Sequence, residues 1–183
     1  MLPPFSPRGP PQRHDSIHCF YCLLFPKARI MFMSHIEEAT TTLKFTALAA
    51  LLQQGDRDAI EKHPCMALLR QAVTLVATAY RGTVHTTYNN YYGDAQSTNT
   101  TIALHVPGKL PRGIGLCIDV KTGALSFKGD PWDHEAFFAV VQQKIVQNYV
   151  VLAHAAALRR MHAQVSTQVL DNQQIVITGV LHG

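Results

Sequence analysis

The fold class is decided by residues 130–180, DPWDHEAFFAVVQQKIVQNYVVLAHAAALRRMHAQVSTQVLDNQQIVITGV. In the first half, apolar residues recur every three or four positions between Phe138 and Ala156, so they share one face of a helix. Two short segments follow, residues 164–169 and 174–178, in which apolar and polar residues alternate as they do in strands. Turn-forming residues separate the two segments. This stretch therefore predicts a long C-terminal helix followed by a hairpin.

The ends of this helix carry the charges that stabilise helix termini. Asp133 is placed to cap the free amides, and Glu135 lies in the first turn, near the positive end of the dipole. Arg159 and Arg160 lie near the negative end. A helix of about 30 residues would be about 45 Å long, which exceeds the width of a domain of this size and predicts a bend or a projecting end. We expect a projecting end to bind another protein, with Tyr149, Arg159 and Arg160 as candidate contact residues.

The composition is that of one globular domain. The chain has 183 residues, of which 47% are hydrophobic and 15% charged, and this is enough to bury a core. The formal net charge is +4, and residues 1–32 supply +3 of it through four basic residues and one acidic residue. The remaining residues carry only +1, which gives little support to nucleic-acid binding.

Neither the cysteines nor the hydropathy pattern suggests a secreted or membrane protein. The four cysteines, at positions 19, 22, 65 and 117, are too few and too scattered for a disulfide framework. No segment approaches the roughly 18 consecutive apolar residues of a membrane-spanning helix. We therefore expect a cytoplasmic protein that does not enter the membrane.

Residues 1–32 differ from the rest of the chain. Five prolines lie between positions 3 and 11, and no helix or strand periodicity precedes Met31. This segment is predicted to be a disordered extension, or an upstream stretch that is not translated, with Met33 as the start. Residues 33–183 are predicted to form a single domain.

The middle of the chain supplies the other helices and strands. A strand is predicted at residues 34–42, then a helix at 45–53 and a second helix that begins weakly at Arg57 and clearly at Pro64. Further strands are predicted at residues 83–88, 101–106, 114–120 and 124–128, with a polar loop at 89–100 and a hairpin turn at 121–123. The order β-α-α-β-β-β-β-α-β-β predicts the α+β class, with an antiparallel sheet and two to three helices. An elaborated ferredoxin-like layer is one arrangement that fits.

The chain holds no motif of nucleophilic or zinc-dependent hydrolysis. Cys19 and Cys22 have the spacing of half a zinc site, but the other half is missing. Asp130, Asp133 and His134 could hold a metal or move a proton if they faced a cleft, although capping of the long helix explains them better. We therefore predict a protein that is not an enzyme, with no cofactor and no bound metal.

A group of aromatic residues supports an alternative function. Tyr88, Tyr91 and Tyr92 lie in or beside the predicted loop, and Arg112 is a candidate neighbour. Exposed aromatic rings stack on bases and arginines neutralise phosphates, so these four residues could bind single-stranded nucleic acid. Tyrosines that close the edge of the sheet are the simpler interpretation, because the folded region is nearly neutral.

Three short motifs resemble a small protein family, called hypothetical chloroplast reading frame thirty-five. They are Met33-Ser34-His35-Ile36, the pair Ile114-Gly115-Leu116 and Leu125-Ser126-Phe127, and the glutamine- and tyrosine-bearing helix from Phe137 to Tyr149. The family is a domain of unknown function from plastid, cyanobacterial and other bacterial genomes. The resemblance covers about residues 33–180. The chain departs from the family pattern in its proline-rich start and in added length between Asp56 and Asn99, and the family implies no catalytic residues.

Taken with the missing catalytic motifs, the long helix favours a small accessory or regulatory protein that binds another protein. The partner could be a second copy of the chain, which would make a homo-oligomer. A single-stranded nucleic-acid-binding module is the alternative, and nucleic acid is the less favoured partner on charge.

Overall fold

The computed structural model describes residues 36–169 and 175–181. They fall into two compact units, one of residues 36–153 and one of the described residues from His154 onward. The helices of the described residues are α1 (Thr46–Gln54), α2 (Arg57–Lys62), α3 (Pro64–Tyr80) and α4 (Glu135–Arg160). The strands are β1 (Glu37–Lys44), β2 (Thr83–His85), β3 (Thr87–Asn89), β4 (Ala95–Ser97), β5 (Ala103–Val106), β6 (Leu110–Ile118), β7 (Ala124–Gly129), β8 (Ala163–Val169) and β9 (Ile175–Leu181).

The larger unit is built on a five-stranded sheet with the order β1-β7-β6-β5-β2. Every neighbouring pair in it is antiparallel, and β5, β6 and β7 form a meander. The α+β class is confirmed, as is the long helix α4 followed by the β8–β9 hairpin. The sheet contains no parallel neighbours, so its layout is that of a meander rather than of a split βαβ unit.

One face of the sheet forms the hydrophobic core with the helices. Ile114 and Leu116 of β6 and Leu125 and Phe127 of β7 alternate onto this face, and all four are fully buried. At the end of β7, Gly129 makes room for a helix ring, since a Cβ there would lie 2.7 Å from Cε2 of Phe138 in α4. The period of two in these strands thus selects which residues enter the core.

The opposite face is covered by a small ribbon made of β3 and β4, residues 87–97. The ring of Tyr88 lies over the centre of β6, where a Cβ on Gly115 would be 2.5 Å from Cδ1 of Tyr88 and 2.7 Å from Cγ2 of Thr98. Only glycine at position 115 leaves this space. This close approach holds the β3–β4 ribbon against the sheet.

The helical region differs from its prediction in one detail, because the second predicted helix is split in two. His63 has ψ 133, so its backbone is extended, and its Nδ1 accepts a hydrogen bond from the amide of Cys65. A residue before proline avoids helical backbone angles, and Pro64 therefore separates α2 from α3. Asp56 caps α2 by accepting a hydrogen bond from the amide of Ala59 at 3.0 Å.

The strand predicted at residues 83–88 is also divided, into β2 and β3, and the predicted loop at 89–100 contains β4. β2 pairs with β5 in the large sheet, whereas β3 pairs with β4. After β4, Asn99 mimics a strand: its side-chain amide donates to the carbonyl of Ile118 at 2.6 Å and accepts from the amide of Ile118 at 3.0 Å. The periodicity of apolar residues does not predict side-chain pairing of this kind.

Helix α4 has 26 residues, which corresponds to about 39 Å. Its first hydrogen bond runs from the amide of Phe138 to the carbonyl of His134, so the helix begins one residue later than expected. Asp133 precedes it with φ 63 and not as the predicted cap. In the C-terminal unit, a Cβ on Gly179 of β9 would lie 2.9 Å from Cδ2 of Leu158 in α4, so the last turns of the helix pack on the hairpin.

The remaining predictions about the fold have different outcomes. The turn at Lys121-Thr122-Gly123 is present, with Gly123 at φ 72. The predicted extension at residues 1–32 and the turn near residue 171 lie outside the described residues. A single domain from residue 33 to 183 stays a prediction. Among the helices described, none has the length and hydrophobicity that crossing a membrane requires.

Candidate binding surface around Arg112

The tip of the β3–β4 ribbon is a turn fixed by one asparagine. The Oδ1 atom of Asn90 accepts hydrogen bonds from the amides of Tyr92 at 3.0 Å and Asp94 at 2.9 Å, and its Nδ2 donates to Oδ2 of Asp94 at 3.0 Å. Gly93 supplies the positive φ that closes the turn. Tyr91 and Tyr92 are therefore held on an ordered tip.

Both tyrosines of the tip are exposed. Tyr91 is 49% exposed and Tyr92 84%, and their rings meet edge to face with centroids 5.4 Å apart. The guanidinium carbon of Arg112 lies 4.8 Å from the centroid of the Tyr91 ring, a cation–π contact. The predicted neighbourhood of Arg112 and the tyrosines is thus seen for Tyr91.

Arg112 is held from the other side by a buried carboxylate. Its Nη1 donates to Oδ2 of Asp130 at 2.8 Å, and the Asp130 side chain is only 4% exposed, compared with 31% for Arg112. The second oxygen of Asp130 accepts from the backbone amide of Trp132 at 3.2 Å. Trp132 itself is 52% exposed and is the one tryptophan of the chain. We call Tyr91, Tyr92, Arg112, Asp130 and Trp132 the Arg112 cluster.

The Arg112 cluster contains aromatic rings and one cation, but its net charge is not positive. The positive charge of Arg112 is matched by Asp130 at hydrogen-bond distance, and Asp94 adds an exposed carboxylate at the ribbon tip. The group therefore presents exposed rings and one partly exposed guanidinium without an excess of positive charge.

A second cation lies over an aromatic ring at the start of α4. The Nζ atom of Lys109 is 4.7 Å from the centroid of the Phe137 ring, and Tyr80 packs on the same ring at 5.0 Å, edge to face. Lys109 thus stacks on Phe137 and is not grouped with the tyrosines of the ribbon tip by any described contact.

Two of the predicted contact residues are buried instead of exposed. Tyr88 is 3% exposed beneath the ribbon, and burial raises its pKa. Tyr149 is 7% exposed and packs edge to face on Phe45 at 5.0 Å; burial, with a hydrogen bond to Cys65, raises the pKa of its phenol far above 10.0. Both side chains stabilise the larger unit and present little surface to a ligand.

The other two residues predicted on the long helix, Arg159 and Arg160, are exposed at its end, in the C-terminal unit. Their neighbour Leu158 packs on the hairpin. Part of the C-terminal end of α4 therefore packs on the hairpin. Arg159 and Arg160 are the residues of the predicted partner-binding end that are exposed.

Asp130 is the member of the cluster for which the sequence favours another role, the capping of the long helix. The signal for Asp130 was present in the predicted β6–β7 hairpin. Its observed register pairs Ile114 with Gly129, so the strands bring Arg112 back beside the residues that follow β7. Continuing this register by two residues places Arg112 opposite Pro131, and therefore next to Asp130.

The structure holds no metal-like cluster in the portion described, where no three histidine, cysteine, aspartate or glutamate side chains come together as ligands. A shallow pocket of about 290 Å³ lies between α2 and the segment 98–101. Two of its polar lining residues make internal hydrogen bonds: the hydroxyl of Thr100 donates to the carbonyl of Leu116 at 2.7 Å, and the side chain of Asn99 is paired with the backbone of Ile118. Arg57 and Glu61 line the α2 side of the pocket.

Comparison with models of protein families, with curated proteins and with solved structures gives no match. The Arg112 cluster therefore has to be interpreted from its own chemistry.

Proposed function

We propose that this protein is a small accessory or regulatory protein that acts by binding another protein, and that the Arg112 cluster is the binding surface. The observation that supports this is the combination of three exposed aromatic side chains, Tyr91, Tyr92 and Trp132, with an arginine held by a buried carboxylate. Tyrosine, tryptophan and arginine are the residues most enriched at the energetic centres of protein interfaces.

Pre-organisation strengthens the proposal. Asn90 fixes the ribbon tip through two backbone amides, and Asp130 fixes Arg112 and the backbone at Trp132. Ordering a long side chain on binding costs about 0.5–1.5 kcal/mol, and an arginine already held on two sides avoids much of that cost. The cluster is built to bind without first rearranging.

The charge of the surface favours a protein partner over nucleic acid. Binding to nucleic acid depends on unpaired cations that displace counterions from phosphates, whereas Arg112 is already paired with Asp130. Uncharged peptide groups suit the remaining N–H donors and the exposed rings better. A cytoplasmic location belongs to this proposal and is supported by Cys65 and Cys117, which are free thiols.

Single-stranded nucleic acid remains the second candidate, because the exposed rings of Tyr91 and Tyr92 could each stack on a base. Fluorescence of Trp132 separates the two candidates, since it reports on this surface alone. Titration with an oligothymidine at low salt should leave the emission unchanged if the partner is a protein. A saturable, salt-sensitive change that Tyr92→Ala weakens would favour nucleic acid instead.

The proposal is tested by placing a photo-crosslinking amino acid at position 92 in the host cell. The matched control position is Leu75 on α3, outside the cluster, which is 47% exposed. We expect a discrete protein adduct from position 92, none from position 75, and loss of the adduct when Arg112→Ala is added. An adduct of twice the mass of this chain would identify a second copy as the partner. Equal labelling from both positions, or none from position 92, would contradict the proposal.

A further inference from the structure

The chain enters the described structure next to the Arg112 cluster. In the antiparallel pairing of β1 with β7, Glu37 lies opposite Gly129, and Asp130 of the cluster follows Gly129 directly. Paired residues of neighbouring antiparallel strands have Cα atoms about 4.5–5.5 Å apart. Residues 1–35 lie outside the described residues, but the point at which they join the sheet is therefore known, and it is beside Asp130.

Residues 3–13, PPFSPRGPPQR, have the composition of a proline-rich recognition segment. Five of them are prolines, which have a backbone carbonyl but no backbone N–H, and two are arginines. Sequences of this kind favour the extended polyproline II conformation, in which backbone carbonyls make no internal hydrogen bonds. A surface that binds such a segment has to supply aromatic rings for the prolines, donors for the carbonyls and carboxylates for the arginines.

The Arg112 cluster supplies the rings and the donors. The rings of Tyr91 and Tyr92 meet edge to face at an interplanar angle of 87°, and both are exposed, as is Trp132. The indole of Trp132 and the guanidinium of Arg112 can donate hydrogen bonds but cannot accept them. Carbonyl groups are therefore better partners for these two side chains than N–H groups are. A proline-rich backbone, which is poor in N–H groups and rich in free carbonyls, meets that requirement.

The carboxylates beside the cluster suit a basic segment. Asp94 at the ribbon tip and Asp133 after Trp132 are exposed, and neither forms an ion pair with a described residue. The charge of Arg112 is already matched by Asp130. The described charges at this surface thus leave an excess of negative charge, which the two arginines of residues 3–13 would balance.

We propose that the Arg112 cluster binds proline-rich segments, and that its occupant in the isolated protein is residues 3–13 of the same chain. Residues 14–35 connect this segment to the sheet and can span about 75 Å at most, so the segment can reach the cluster from its anchor beside Asp130. A tether anchored beside the site gives an effective concentration on the order of 1 mM, which favours the same chain over a second copy at lower protein concentrations. The proposal deepens the proposed function and rests on it for the competition, because a protein partner has to displace the segment from the same surface.

The docking is tested on the purified full chain, with an aromatic photo-crosslinking amino acid at position 92. Mass spectrometry of the species with the mass of one chain should find a link between position 92 and residues 3–13, and no such link from the control position 75. Replacing the five prolines of the segment by alanine should remove the link. The matched control, Ser6→Ala combined with Gln12→Ala, keeps every proline and arginine and should leave the link unchanged.

Three results would overturn the docking: no link from position 92 to residues 3–13, equal links from positions 92 and 75, or a link that survives replacement of the prolines. Links found only in a species of twice the chain mass would assign the segment to a second copy, and they would also overturn docking within one chain.

The protein adduct from position 92 in the host cell separates this docking from the proposed function. A segment that occupies the surface about nine-tenths of the time weakens the apparent affinity of a competing partner about tenfold, so replacing the prolines should strengthen the adduct by up to about tenfold. An adduct that does not change would contradict occupancy by the segment. An internal link without any protein adduct would reject the protein-binding proposal and leave the docking standing.

Discussion

Removing Arg112 should destabilise the protein more than removing the charge of its partner Asp130. The two side chains differ in exposure, 31% for Arg112 and 4% for Asp130. Arg112→Ala leaves a buried carboxylate whose remaining partner is the amide of Trp132 at 3.2 Å. Asp130→Asn leaves an uncharged acceptor of nearly the same shape, and the freed arginine can turn towards water. The burial therefore decides which substitution is worse.

The magnitudes follow from that difference in burial. Breaking a fully buried ion pair by removing one partner costs about 3–5 kcal/mol, but the site of Arg112 is partly open, so water can reach Asp130 and reduce the cost to about 2 kcal/mol. Asp130→Asn should cost about 1 kcal/mol. For a chain of this length, a difference of about 1 kcal/mol corresponds to about 2–4 °C in Tm. Arg112→Ala should thus melt a few degrees below Asp130→Asn.

Urea unfolding followed by circular dichroism measures both variants and the double variant. Arg112→Ala combined with Asp130→Asn should be about as stable as Asp130→Asn alone, because no buried charge is then left unpaired. Emission of Trp132 gives a local readout of the same change. If Arg112→Ala cost no more than Asp130→Asn, or if the two costs simply added, Asp130 would not be the buried anchor of the cluster.

Three further substitutions test other parts of the structure. Gly115→Ala would bring a Cβ to 2.5 Å from Tyr88 and should cost at least about 1–3 kcal/mol in urea unfolding; a neutral effect would mean that the ring does not pack there. Asn99→Ala removes two hydrogen bonds to Ile118 and should cost about 1–3 kcal/mol, with faster amide exchange at the end of β6. The raised pKa of Tyr149 means that the folded protein favours the neutral phenol, so stability present below about pH 10 is lost as the pH rises. Tyr149→Phe should therefore lose about 1 kcal/mol less than the unmodified chain between about pH 9 and pH 11, and an equal loss in both proteins would show that Tyr149 is not responsible.

Periodicity predicted the parts of the fold in which burial repeats regularly. The stripe on α4 places Phe138, Val141, Ile145 and Tyr149 in the core, and all four are buried. The β6–β7 hairpin is equally regular, with its glycine turn at position 123. In both elements, one physical quantity, the removal of apolar area from water, controls the pattern.

The predictions that differ from the structure concern residues whose roles are set by polar contacts distant in sequence. Tyr88 is a neighbour of Tyr91 and Tyr92 in the chain, and the sequence pattern does not distinguish it from them. Its ring is buried, because it packs in the space that Gly115 leaves on β6. Asn99 belongs to the predicted loop, yet its side-chain amide pairs with the backbone of Ile118 at the end of β6. Such contacts depend on the pairing of strands, which a local pattern does not encode.

The segment Asp130-Pro131-Trp132-Asp133 links the core of the protein to its candidate surface. The pairing of β6 with β7 and the packing of Phe138 on Gly129 fix where this segment leaves the sheet. Asp130 then lies within reach of Arg112, two positions before Ile114, and its second oxygen holds the amide of Trp132. The segment that begins the long helix thus uses its first carboxylate to assemble a surface and not to cap the helix. Because this surface is anchored to the sheet, its side chains are held in place before any partner binds. A group of exposed aromatic residues without such anchors would first have to be ordered, at a cost in binding free energy.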